Sequence, residues 1–153
     1  MCPWNVSFAE ELKEPAFEAK EVVAGKDGRA LSRDILQLTQ EEFSAAFRHS
    51  PMKRAKLRGL KRNAAVVLGN VGTADDVDVL ATALEDPEPL VREHAAWALG
   101  RIGWPGALEA LRARSFVEPD PAVAEEVVVV LPDLEPCTGS ESKQHDAFGI
   151  IRA

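Results

Sequence analysis

From about residue 31 onward, apolar residues recur at intervals of three and four, which is the spacing of amphipathic helices. At about 100° per residue, Leu57, Leu60, Ala64, Val67 and Leu68 share one face, while Arg54, Arg58, Lys61 and Arg62 cluster on the other side. Gly59 is a point at which this stretch can divide into two helices. Upstream, Thr39 and Glu42 have the spacing of a capping box, predicting a helix from about Gln40 to Phe47. Ser50 and Pro51 mark another start, as N-cap and first helical residue. Residues 1–35 lack this regularity; Pro3, Pro15, Gly25 and Gly28 punctuate them, and only residues 8–14 have helical character.

The pattern repeats. "AAVVLGNVG" at 64–72 aligns with "AAWALGRIG" at 95–103, and "PLVREHAAWAL" at 89–99 aligns with "PAVAEEVVVVL" at 121–131. Each copy pairs one apolar helix with a shorter one and ends in an acidic, proline-containing turn. A period near 31 residues with two helices per unit predicts a helical solenoid. Glycines 69, 72, 100 and 103 recur at matching places, as helix ends or as points of close helix approach. "VVVVL" at 127–131 has strand propensity, but its register with the other copies and the preceding "AVAEE" predict helix. The expected apolar set is Leu60, Ala64, Val67, Leu68, Val77, Leu80, Leu84, Val91, Ala95, Ala98, Leu99, Ile102, Leu108 and Leu111. Three segments are expected: an irregular extension over 1–35, a helical repeat domain over 36–134, and a disordered tail over 135–153.

Charge sharpens the picture. The chain of 153 residues carries a net charge of −7, which alone argues against a polyanionic partner. Yet no Asp or Glu occurs from Ser44 to Ala74, where Arg48, Lys53, Arg54, Lys56, Arg58, Lys61 and Arg62 fall within fifteen residues. The remainder has 11 basic against 25 acidic residues, so a basic element sits on an acidic body. Lys53, Arg54, Arg58, Lys61 and Arg62, with Asn63 beside them, are therefore the candidate nucleic-acid contacts, the cations suited to phosphate.

Other chemistry is sparse. No Gly-rich phosphate loop, nucleophile elbow or triad is present. His94 has no second His or Cys at ligand spacing, and Trp97 falls at an apolar position of its repeat. Two cysteines, Cys2 and Cys137, form no disulfide framework. No run of residues suits a membrane helix and no signal peptide is visible, so a cytoplasmic protein is expected.

The segment order "CPWN", then "FSAAFRHSPMKRAKLRGLKRNAAVVLGNVG", then "DPEPLVREHAAWALGRIG" resembles the C-terminal part of the tRNA epoxyqueuosine reductase family. The likeness covers roughly residues 2–103, and "SPMKR", "LKRN" with "LGN", and "REHAAWALG" are its most specific parts. The resemblance implies a HEAT-like all-α solenoid at the end of an oxidoreductase that forms queuosine in tRNA. It implies a tRNA anticodon stem-loop as partner. In the full family it implies cobalamin and two 4Fe-4S clusters. Cys2, followed by Pro3, matches the family's final cluster cysteine, whereas one thiolate cannot hold a cubane that takes four. The chain is thus expected to be a fragment with no cofactor and no activity of its own, residues 1–35 including the remnant of the iron–sulfur domain. The alternative from another class is a free-standing HEAT-repeat module that binds protein along its helical surface.

Overall fold

The structure is a computed structural model, and it describes residues 20–134, with side chains to 131. Among these residues the chain is all helical: α1 (Gly28–Gln37), α2 (Gln40–Ala46), a 3-10 turn (Pro51–Ala55), α3 (Lys56–Val71), a second 3-10 turn (Ala74–Asp76), α4 (Val77–Ala83), α5 (Pro89–Ile102), α6 (Pro105–Ser115) and α7 (Pro121–Leu134). The expectations for residues 8–14, Cys2, Cys137 and the tail lie outside the described residues.

Local signals set the helix starts. The Thr39 hydroxyl accepts from the Glu42 N–H and the Glu42 carboxylate accepts from the Thr39 N–H, the reciprocal pair of a capping box. Proline occupies the first turn of α5, α6 and α7, where a backbone N–H would have no helical partner. The valine run is helix, as its register requires, because burial of Val123, Val127 and Val130 on one face outweighs strand propensity. Two expectations need correction. Ser50 caps a 3-10 turn, not the main helix. Residues 28–35, expected to be irregular, belong to α1, because the Asp27 carboxylate caps it by accepting from the N–H groups of Arg29 and Ala30.

The helices form two layers. α1, α4 and α6 make one; α3, α5 and α7 make the other, each touching its layer neighbour and its pair partner. The core between them contains Leu68, Leu80, Val91, Leu99, Leu111, Val123 and Val127, all fully buried. A smaller cluster of Phe43, Phe47 and Leu60 seats α2 against α3, with the two rings 5.3 Å apart. Glycine allows the close stacking in the second layer. A Cβ on Gly69 would lie 2.4 Å from the Trp97 ring and 3.0 Å from the Ala98 Cα, so α3 and α5 could not keep their separation. Gly103 ends α5 with φ 67°, a left-handed conformation that glycine adopts without strain.

Most of the expected apolar set is buried. Ile102 and Leu108 are half-buried, and Val67 is exposed at 38%. The reason is packing on two sides. α3 must meet α1 and also α5, so its buried sector turns through Ala65 and Gly69 and away from Val67.

Gly59 does not divide α3, which runs unbroken over 16 residues. A Cβ there would make only an ordinary contact, 3.9 Å from the Ala55 Cβ. Gly59→Ala is therefore expected to raise stability by about 0.5–1 kcal/mol, through lower unfolded-state entropy and better helix propensity. Urea denaturation of the two proteins measures it; an unchanged or lowered midpoint would contradict this account.

Candidate nucleic-acid interface

Six of the seven cations of the acid-free segment, Lys53 to Arg62, lie on the first 3-10 turn and the first half of α3. Met52, Lys53, Arg54 and Lys56 are all exposed at the turn. Behind them α3 opens without a side-chain cap and without an acidic residue in its first turn. The preceding 3-10 turn satisfies the Lys56 N–H through the Lys53 carbonyl, and the helix dipole makes such an end electropositive. Lys53, Arg54, Lys56 and Arg58 add to that potential instead of balancing it.

The candidate residues have different surroundings. Lys53 and Arg54 project from the turn and Asn63 is exposed on α3. Arg58 lies 3.6 Å from Glu88, with both side chains about half exposed, so the pair is weak and open to exchange. Arg62 is half-buried, and its Nε has no hydrogen-bond partner. Lys61 is drawn inward: its Nζ donates to Asp86 at 2.8 Å, with the lysine and aspartate side chains only 12% and 9% exposed. It joins α3 to the turn before α5, and its charge is already matched. Lys56 joins the group through the exposed turn. Its presence in the acid-free run was the sequence signal for it. Beside the segment lies an open hollow of about 560 Å³, whose rim includes Thr39, Gln40, Lys56, Arg58, Asp86 and Glu88.

Two buried ionic clusters hold the repeats in place. Asp76, fully buried at the start of α4, accepts from Arg29 Nε at 2.7 Å, from Arg33 Nε at 2.5 Å and from the Thr73 N–H at 2.7 Å. Burial alone pushes its carboxyl pKa up, but the bonds from Thr73, Arg33 and Arg29 outweigh this and hold it below the usual range. Glu118, in the turn before α7, takes a two-pronged contact from Arg92 at 2.7 and 2.9 Å, and further bonds from Arg114 Nε and the Asp120 N–H. Arg92 also donates to the carbonyls of Asp86 and Pro87, so successive inter-helix turns are tied together. Neither cluster was visible in the sequence, because Arg29 and Arg33 stand 47 and 43 residues from Asp76, and Arg92 stands 26 from Glu118.

His94 donates from Nδ1 to the Leu90 carbonyl at 3.0 Å. Among the described residues no group of three or more His, Cys, Asp or Glu side chains is placed to hold a metal. The described residues contain no cysteine, so they offer no donor set for an iron–sulfur cluster. No described helix is long and apolar enough to cross a membrane.

The two-layered stack of paired helices defines a helical-repeat protein. The chain belongs to the HEAT-repeat family, whose model matches residues 54–132. Within that class it is a homologue of the epoxyqueuosine reductases. It is 36% identical over 104 residues to the enzyme of Xanthomonas campestris pv. campestris, covering 67% of this chain and 28% of that protein. With the Bacillus subtilis enzyme the identity is 29% over 121 residues, covering 78% of this chain and 30% of that one. A crystal structure of epoxyqueuosine reductase with a tRNA-Tyr epoxyqueuosine-modified stem loop is similar at a TM-score of 0.63 and 28% identity, over 67% of this chain and 28% of the other. The Bacillus subtilis structure gives a TM-score of 0.64 at 28% identity, over 70% and 30% of the two chains. The chain thus spans between a quarter and a third of the length of these relatives.

Proposed function

We propose that this chain supplies the tRNA-contacting HEAT-like repeats of a queuosine-forming epoxyqueuosine reductase, binding the anticodon stem-loop without performing chemistry itself. The observation that carries the reading is the acid-free basic segment at the uncapped start of α3, on an otherwise acidic molecule. Lys53, Arg54, Arg58 and Arg62 contact the phosphate backbone, with Asn63 beside them and Lys56 adding charge at the turn. Lys61 positions α3 through Asp86. A row of cations at a helix N-terminus is opposed by the helix dipole, and a polyanion relieves that cost. Phosphate contacts of this kind give affinity and orientation, not base reading. The likeness to a reductase structure holding a tRNA stem loop supports the choice of RNA.

The test is a fluorescence-anisotropy titration of a labelled anticodon stem-loop at several salt concentrations. Affinity is expected to fall as salt rises, with a log–log slope of about −0.7 to −0.9 per phosphate neutralised. Lys53→Glu combined with Arg54→Glu is expected to weaken binding by about tenfold or more, because both side chains are exposed and the change reverses two charges. Arg101→Glu, on the exposed last turn of α5, is the control and should change little. Equal affinity for the wild type and the double variant would leave the segment an ordinary solvated face and favour the protein-binding alternative.

A further inference from the structure

The outer surface of the α3–α5–α7 layer has a second chemical character. Between the three helices lies a hollow of about 230 Å³ lined by Val66, Glu93, His94, Trp97 and Glu126. Trp97 falls at an apolar position of its repeat, and that pattern predicts a core residue. The Cζ3 and Cε3 side of its ring lies against Gly69, yet the residue is only half-buried and its side chain lines this hollow. Glu93 and Glu126 reach it from α5 and α7, and among the described residues neither has an ion pair or a hydrogen bond through its carboxylate. No lysine or arginine lines the hollow, although the basic segment runs through the first half of α3, which borders it.

We propose that this hollow is a binding site for a guanidinium group, the arginine side chain of a partner protein. An indole attracts a cation through its π-electrons, and two carboxylates beside it supply matching charge. Arginine suits the site better than lysine, because its planar group stacks on an aromatic ring and bonds a carboxylate through two N–H groups together. The volume lies below the roughly 300–1,000 Å³ of pockets for drug-sized ligands, so it accommodates one side chain. Two carboxylates repel phosphate, which separates this site from the RNA-binding surface proposed on α3. The one layer therefore presents an anion-seeking edge and a cation-seeking hollow.

The experiment is a two-dimensional proton–nitrogen NMR titration of the full chain with N-acetylarginine amide, and with the uncharged analogue N-acetylcitrulline amide. The three tryptophans give three indole N–H signals, and Trp97→Phe assigns the one that matters. Saturable movement of the Trp97 signal with the arginine probe, and not with the citrulline probe, is the expected result. Glu93→Gln combined with Glu126→Gln should weaken that binding by about tenfold, the sum of two half-buried charge contacts. These substitutions keep side-chain shape, and a thermal midpoint unchanged within about 2 °C shows that the fold is intact. Stem-loop affinity measured on the same variant should not decrease, so this inference and the RNA reading fail separately. Equal movement with citrulline, or undiminished binding by the double Gln variant, would overturn the proposal.

Discussion

Replacing Glu118 with alanine is expected to destabilise the protein by about 3–5 kcal/mol, because it strands the buried Arg92 guanidinium without its counter-charge. The Glu118 side chain is 0% exposed and Arg92's is 7% exposed, so water cannot replace the lost contact. Glu118→Gln keeps the shape and should cost less. The pH dependence provides a second check. Burial pushes the Glu118 carboxyl upward, but the bonds from Arg92, the Asp120 N–H and Arg114 outweigh it and bring the pKa down from 4.5 to about 2. A carboxyl with a depressed folded-state pKa stabilises fully above its unfolded value and loses that contribution as pH falls toward the folded one. Glu118 should thus contribute about 3 kcal/mol above pH 5, declining progressively between about pH 5 and 2. Urea unfolding of the wild type and Glu118→Gln across that range should show their stability difference shrinking as pH falls. A difference independent of pH would show that the carboxylate's ionisation is not what holds these turns.

Leu99→Ala is expected to cost about 2–5 kcal/mol, toward the upper end of that range. Leu99 is completely buried in the last turn of α5, and α5 touches α3, α4, α6 and α7. Neighbours held by four other helices cannot relax into the space, so a cavity remains. Val67→Ala removes an apolar group of similar kind from an exposed position on α3 and should stay within about 0.5 kcal/mol. Denaturant midpoints of the two variants would separate these cases, and comparable losses would refute the observed orientation of α3.

The orientation of α3 also shows how far a helical wheel can be read. Its period identified Leu60, Ala64 and Leu68 as buried, because any helix buries one continuous stripe. The wheel placed Val67 inside and Lys61 outside, and the fold reverses both. A wheel assumes one packing surface, whereas a helix inside a two-layer stack has two. The same limit hid the pocket at Trp97, whose apolar character reads as core until the neighbouring glycine and the rims of α5 and α7 are in place.

The sequence by itself determined the features that depend on nearby residues: the helical class, the repeat near 31 residues, the capping box at Thr39, the proline starts and the acid-free basic segment. Hydrogen bonding within a helix and its caps reaches only three or four residues, so a linear pattern contains that information. Only the tertiary structure decided which charges remain available. Lys61 meets Asp86 from 25 residues away, Arg33 meets Asp76 from 43, and Arg92 meets Glu118 from 26, whereas Lys53 and Arg54 stay in solvent. Pairing of this sort depends on where stacked turns bring distant side chains together, and a cation matched in this way within the fold, as Lys61 is by Asp86, has less charge to offer to a partner.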